Sequence, residues 1–213
     1  MVDPRQQLCR FAEDLYRQGL THGTTGNISL RQSDGSLLIT PTGASFGRLD
    51  PSKLSVIDDQ GRLIEGPKPT KEVPLHLALY HTRSRQTGAV VHLHSCHATA
   101  LSMLPCPDPD DWLPPLTPYS VMKLGKVTLL PYFMPGDPAI GAAIRGLAGK
   151  RSAIMLANHG PVVAAKDLEA AVYAAEELEA AAKLALLTQG LHPTGLSSNE
   201  LDQLVKTFDV ECD

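Results

Sequence analysis

The spacing of apolar residues changes along this chain, and each spacing predicts an element. From residue 5 to 19, Leu8, Phe11, Ala12 and Leu15 recur at helical intervals and Gly19 supplies a stop, which predicts an amphipathic helix burying Leu8, Phe11 and Leu15. Residues 27–31 and 36–40 flank Ser33-Asp34-Gly35 and predict a hairpin turning at Asp-Gly. Short extended pieces follow at 54–57 and 62–64, then a helix at 72–81 introduced by Thr70. Residues 88–95 are apolar except for two histidines and a terminal serine, and predict a buried strand. Beyond it the pattern predicts a short helix at 98–104, a strand at 126–130, a helix at 138–147, and strands at 153–156 and 162–165. The Pro-rich stretch 105–118 reads as an ordered loop, because Trp112 and Leu116, with Tyr119 just beyond, offer apolar side chains to bury. Residues 167–187 are rich in Ala, Glu and Leu, with Asp167 placed to cap them, and predict the longest helix. Strands and helices alternate without a clean βαβ repeat. The expected class is therefore α/β or α+β, a mixed sheet covered by helices, and the Ala/Glu face of the last helix is expected to meet solvent or another subunit.

The length of 213 residues suits one domain, since chains usually split above about 250 residues. The 19 basic residues nearly balance 23 acidic ones and are scattered, so nothing points to nucleic acid; a small molecule is the expected partner. No apolar run approaches the roughly 20 residues that cross a bilayer. Cys9, Cys96, Cys106 and Cys212 form no CxxC pair and no secretory leader is visible, which reads as a cytoplasmic protein with reduced thiols.

The chemistry concentrates in His92 and His94. Residues i and i+2 of a strand share a face, so both imidazoles project into one small volume. Imidazole suits Zn²⁺ and its transition-metal neighbours, and a catalytic zinc takes three protein ligands with one position open. The other reading is a pair of core histidines satisfied by backbone hydrogen bonds. His159, in Asn158-His-Gly-Pro161 at the end of a short strand, is the natural third ligand. Three neutral imidazoles leave a dication free to act as a Lewis acid on a carbonyl, and such chemistry wants a carboxylate to carry protons. Glu72 is the candidate, although a first-turn glutamate also follows simply from the helix dipole. Gly23-Thr-Thr-Gly-Asn27 and Thr40-Pro-Thr-Gly43 combine hydroxyls, an amide and glycines in a way that suits an anion, and plain turns use the same residues. No Walker loop or dinucleotide fingerprint is present. His76 and His97 read as structural, His22, His81 and His192 as loop or surface residues, and Cys96 as packing.

Taken together in this order and spacing, Thr25-Gly-Asn27, Thr40-Pro-Thr-Gly43, Glu72, His92-Leu-His94 and Asn158-His-Gly160 resemble the class II aldolase/adducin family over nearly the whole chain. The resemblance implies a three-layer α/β/α fold and a homotetramer of four-fold symmetry with sites between subunits. It implies Zn²⁺, with Mn²⁺ or Co²⁺ as alternatives, on His92, His94 and His159. Glu72 would be the acid/base and approach the metal when substrate is absent. Thr25, Gly26, Asn27, Thr42, Gly43 and Thr70 would cradle a phosphate, and Tyr119 would reach a neighbouring subunit's site.

Within that family, Lys71-Glu72 stands where sugar-phosphate aldolases have Ser-Glu, and residues 119–125 and 131–137 also depart from theirs. These stretches resemble the family's decarboxylating branch. The implied reaction is decarboxylation of a small phosphorylated sugar acid, 3-oxo-tetronate 4-phosphate, to dihydroxyacetone phosphate and CO₂. The alternatives are a fuculose-phosphate-type aldolase, a ribulose-phosphate 4-epimerase, or a non-catalytic adducin-like module. A substrate carboxylate wants a further cation, for which Lys71 or Lys123 is available.

Overall fold

In the computed structural model, which describes residues 3–210, the strands are β1 (Asn27–Arg31), β2 (Leu37–Ile39), β3 (Ser55–Ile57), β4 (Leu63–Glu65), β5 (Ala89–His92), β6 (Val127–Leu130), β7 (Ala153–Leu156) and β8 (Gly160–Ala165). The helices are α1 (Pro4–Arg17), α2 (Val73–Thr82), α3 (Cys96–Ser102), α4 (Pro118–Leu124), α5 (Pro138–Gly146), α6 (Leu168–Leu187) and α7 (Ser198–Phe208). All eight strands join one sheet in the order β4-β3-β2-β1-β5-β8-β7-β6. Neighbours run antiparallel except β6 and β7. The expected β1–β2 hairpin is present, with Gly35 at a φ of 87° and Asp34 accepting the Ser36 N–H.

Strand alternation divides the core between the two faces of the sheet. Ala153 and Met155 of β7 pack with Leu8 and Leu15 of α1, Ala98 of α3, Leu124 of α4 and the apolar stripe of α6. Ile154 and Leu156 pack on the other face with Leu75 and Leu79 of α2 and Ile140 and Ile144 of α5. Helices therefore cover both faces, giving the three layers that the resemblance implied. None of these helices is long and apolar enough to cross a membrane.

The histidine strand is shorter than expected. Its ladder with β8 ends at His92 opposite Val162, because the next β8 residue, Pro161, has no N–H to donate. The chain nevertheless stays extended, with the Leu93 N–H bonded to the Pro161 carbonyl at 3.1 Å. Leu93 packs into the α6-side core, so His92 and His94 emerge together on the α2 side.

Other boundaries also differ from expectation. Glu72 is the residue before α2 rather than its first turn, and α3 begins at Cys96, not 98. The helix α4, which hydrophobic spacing does not signal, starts at Pro118 behind Thr117, whose side chain accepts the Ser120 N–H. The equally unanticipated α7 carries a capping box between Ser197 and Glu200. Trp112 and Leu113 are buried and order the Pro-rich stretch, but Tyr119 is 62% exposed instead of packing there. On α6, Glu179 is buried rather than solvated, accepting the backbone N–H groups of His97 and Ala98 and so capping α3. His97 joins it through Nδ1, in keeping with a structural role. Cys9, Cys96 and Cys106 are free thiols, and Cys212 lies outside the described residues.

The first residue of β8 presses directly on the histidine segment. A Cβ added to Gly160 would sit 2.0 Å from the Leu93 carbonyl oxygen, an impossible separation between backbones, whereas one on Gly146 in α5 meets nothing within 4 Å. Gly160→Ala is expected to lower the free energy of unfolding by ~2 kcal/mol or more through overpacking. Gly146→Ala is expected to leave it unchanged or raise it by ~0.5 kcal/mol. Urea unfolding of the two variants checks both signs.

Candidate active site

Three separate segments bring the chemistry together. His92 ends β5, His94 follows on the extended continuation, and His159 sits in the β7–β8 turn. That turn is held by Asn158 in the left-handed region at a φ of 57°, a conformation asparagine tolerates, and by its N–H bonded to Ser102 Oγ. Glu72 arrives from the opposite direction, at the N-cap of α2, with its own N–H on Thr70 Oγ1 at 3.3 Å.

One ligand atom from each of Glu72, His92, His94 and His159 falls within 4.8 Å of the others. His92 Nε2 lies 3.2 Å from His94 Nε2 and 3.3 Å from Glu72 Oε2, and His159 Nε2 lies 3.4 Å from Glu72 Oε1. A tetrahedral ion with ligands at about 2.1 Å sets its ligand atoms about 3.4 Å apart, so these separations fit a metal of that size. Hydrogen bonding agrees. His92 Nδ1 donates to the Pro161 carbonyl at 2.9 Å, which leaves the Nε2 lone pair turned to the cluster. Both ring nitrogens of His159 and Glu72 Oε1 are buried without a hydrogen-bond partner. Buried polar atoms in that condition are costly unless something else satisfies them, and a cation would.

The electrostatics keep the donors in ligand form. Burial, followed by repulsion from His92 and His159, pulls His94 down to about 3. Burial and His92 pull His159 down to about 4. Both rings are therefore neutral at neutral pH with a lone pair to give. Burial acts to raise the Glu72 carboxyl, but the charge and hydrogen bond of His92, the Asn27 amide and His159 together outweigh it and hold it below the usual carboxylate range.

A cavity of about 350 Å³ opens over this cluster. Thr25 and Gly26 line it from the loop before β1 and Asn27 from the first position of β1, Thr42 and Gly43 from the chain after β2, and Thr70 and Lys71 from the approach to α2. All six residues expected to cradle a phosphate are thus gathered in one place, beside Glu72, His94 and His159. Their side chains are not equally available. The Thr25 hydroxyl donates to the His22 carbonyl at 2.7 Å, whereas Thr70 Oγ1 accepts the Glu72 N–H and keeps its own proton for a ligand. The Asn27 amide is shared, since its Nδ2 gives one of its two N–H groups to Glu72 Oε2 at 2.7 Å and its Oδ1 faces His76 Nε2 at 2.5 Å. Gly26 has a φ of 80° and a Cβ there would stand 2.9 Å from the His92 carbonyl, so only glycine lets this loop lie against the histidine segment.

Lys71 lines the cavity, and the chain folds back on it at Gly136, where an added Cβ would touch the lysine stem at 3.2 Å. Lys123 does not line it; this residue borders a separate cavity with Arg85 and Lys166. Tyr119 is exposed on α4 and does not line it either. A cavity of about 460 Å³ between α4 and α7 shares no residue with the cluster.

A mixed sheet whose strand ends and helix start deliver three imidazoles and one carboxylate to a single point defines a class of metal-binding α/β proteins. The model of the Class II Aldolase and Adducin N-terminal domain family matches residues 6–186, and the chain belongs to that family. It is 44% identical over 200 residues to the 3-oxo-tetronate 4-phosphate decarboxylase of Escherichia coli K12, covering 94% of each chain. It is 33% identical over 207 residues to the L-fuculose phosphate aldolase of Haemophilus influenzae, covering 95% of this chain and 92% of the relative. The crystal structure of YgbL from Escherichia coli superposes with a TM-score of 0.91 at 42% identity, over 94% of this chain and 96% of that one.

The depressed histidines give the metal-free protein a defined pH dependence. Their unfolded counterparts titrate near about 6.5, so below that pH the unfolded state binds protons that the folded state refuses until about 4 for His159 and about 3 for His94. Stability is then complete above about 6.5 and falls as pH drops toward 4. EDTA-treated protein is expected to show a urea midpoint that is level above about pH 7 and declines from about 6.5 to 5. A flat profile over that interval would contradict neutral, buried imidazoles.

Proposed function

We propose that the protein is a metal-dependent decarboxylase of 3-oxo-tetronate 4-phosphate, releasing CO₂ and dihydroxyacetone phosphate. The convergence of three imidazoles and an ionised glutamate beside a hydroxyl- and glycine-lined cavity carries this reading. The 44% identity to a relative of that name, against 33% to a fuculose phosphate aldolase, favours the decarboxylating branch. His92, His94 and His159 would hold the ion, with Glu72 approaching it when substrate is absent. The imidazole-rich set suits Zn²⁺, with Mn²⁺ or Co²⁺ as alternatives. Lewis-acid stabilisation of the oxyanion that develops as the C–C bond breaks is the chemistry the bound ion supplies.

The protein's own residues do the rest. Gly26 and Gly43 allow a phosphate to approach the backbone, and the Thr42 and Thr70 hydroxyls donate to it, with Thr25 shaping the turn. Lys71 presents an ammonium to the substrate carboxylate, holding it until its bond to C2 breaks and CO₂ leaves with the electron pair retained on the enediolate. Glu72 then relays one proton from solvent to C2, which completes dihydroxyacetone phosphate. In a homotetramer, the exposed Tyr119 would be presented to a neighbouring subunit's cavity.

Metal-replete protein is expected to release CO₂ and dihydroxyacetone phosphate in equal amounts from 3-oxo-tetronate 4-phosphate. Glu72→Gln should reduce that turnover by a factor of about 10² or more, and dialysis against a chelator should abolish it until Zn²⁺ is restored. Cleavage of ketose 1-phosphates to an aldehyde, with no CO₂ from the oxo acid, would move the chain to the aldolase branch. Lys71→Ala is expected to weaken kcat/KM for the oxo acid by about tenfold or more, consistent with loss of a charge-assisted contact; an unchanged value would remove Lys71 from that role.

A further inference from the structure

Behind Glu72 lies a buried polar chain that metal binding alone does not explain. On β1, Asn27 and Ser29 alternate onto the α2 side of the sheet, while Glu72, His76 and Tyr80 recur every four residues where α2 crosses them. The two series interlock. Glu72 Oε2 accepts from Asn27 Nδ2 at 2.7 Å, Asn27 Oδ1 meets His76 Nε2 at 2.5 Å, His76 Nδ1 meets Ser29 Oγ at 2.7 Å, and Ser29 Oγ meets the Tyr80 hydroxyl at 3.0 Å. His76 and Ser29 are wholly buried, and Asn27 and Tyr80 nearly so.

A carboxylate can only accept, and that fixes the direction of the first two bonds in the chain. Asn27 must offer its amide N–H to Glu72, so its oxygen is the atom that faces His76. His76 must then carry a proton on Nε2, and in a neutral ring that leaves Nδ1 bare. Ser29 donates to Nδ1, and the Tyr80 hydroxyl beside it shares its proton between Ser29 Oγ at 3.0 Å and the Gly88 carbonyl at 3.4 Å. Asn27, His76 and Ser29 are thereby polarised toward one carboxylate, and bonds aligned in a buried chain reinforce one another. Burial, aided by the nearby His92, pulls His76 down to about 3, in keeping with a neutral ring.

We propose that His76 is a positioning residue: as the neutral Nε2–H tautomer it anchors Asn27, and Asn27 holds the Glu72 carboxylate in the orientation from which it carries protons. Asn27 on this account serves the carboxylate through one of its two amide N–H groups. The proposal rests on the reading of Glu72 as the proton carrier, and its test separates the two.

The first arm needs no substrate. Nitrogen NMR of zinc-loaded protein carrying ¹⁵N-histidine, with His76 assigned by its loss in His76→Gln, is expected to show a neutral ring protonated at Nε2 between pH 6 and 8. A proton on Nδ1 would overturn the proposal. The second arm compares two amides. In His76→Gln the side-chain nitrogen reaches the place of Nε2 and can still donate to Asn27, whereas in His76→Asn it reaches only the place of Nδ1. The glutamine variant is expected to keep kcat within a few-fold of the parent. The asparagine variant is expected to lose about tenfold to a hundredfold in kcat, typical of a lost supporting hydrogen bond at such a site, with KM and bound zinc unchanged. Equal kcat in the two variants, or zinc loss that accounts for the deficit, would sink the positioning role. Deuterium exchange into dihydroxyacetone phosphate in D₂O reports the same proton transfer whether the protein proves to be a decarboxylase or an aldolase. An unreactive parent would count against the proposed function, and the tautomer would still decide the relay.

Discussion

Antiparallel pairing of β5 with β8 sets His92 opposite Val162, and with it the whole site. The β7–β8 turn that carries His159 is then delivered beside the histidine segment with no long connection, because β7 and β8 are themselves paired from Leu156 and Gly160 onward. Pro161 links the parts. Lacking an N–H, it ends the ladder and frees His94 from β5, yet its carbonyl accepts both the Leu93 N–H and His92 Nδ1. One residue therefore ends the strand, fixes the direction of the chain beyond it and sets the tautomer of the first imidazole. Gly160 completes the constraint by letting β8 touch the Leu93 carbonyl.

Much of this was legible in the sequence because it rests on period and residue type. Alternation in 88–95 placed His92 and His94 on one side of the chain, and the structure keeps them there even though its ladder stops two residues early. The long apolar helices and most strands were readable from burial patterns that hold locally. Two helices escaped. α4 is only seven residues long and sits in a Pro-rich stretch, where its signal is the Thr117-Pro118 cap rather than any repeat. α7 has no fully buried residue, so hydrophobic spacing understates it, but Ser197 and Glu200 at capping-box spacing could have found it.

Side-chain partners across elements were less legible. A threonine- and glycine-rich loop ending in Asn27 reads as an anion cradle because those residue types suit one, and the loop does line the cavity. What the loop's composition does not convey is that Asn27 has already entered β1 and pairs with His92. Its side chain consequently faces α2, and one of its two amide N–H groups is given to Glu72. Glu179 makes the same point from α6, where a position among alanines and glutamates looks solvent-facing until the two N–H groups of α3 are placed above it.

Glu72 joins these constraints. It stands at the start of α2, where the helix macrodipole favours a negative charge, and its side chain makes no capping bond to its own helix. Both carboxylate oxygens turn instead to the imidazoles, with Asn27 on one of them and no hydrogen-bond partner on the other. Such a group is ionised by its surroundings yet bonded unequally: one oxygen is tied to the buried polar chain, and the other is left for a cation or a moving proton. A catalytic carboxylate needs both properties, since a fully satisfied one would be inert and an untethered one would lose its orientation. The polar series on β1 and α2 is therefore more economically understood as the support of this single group than as a set of independent core hydrogen bonds.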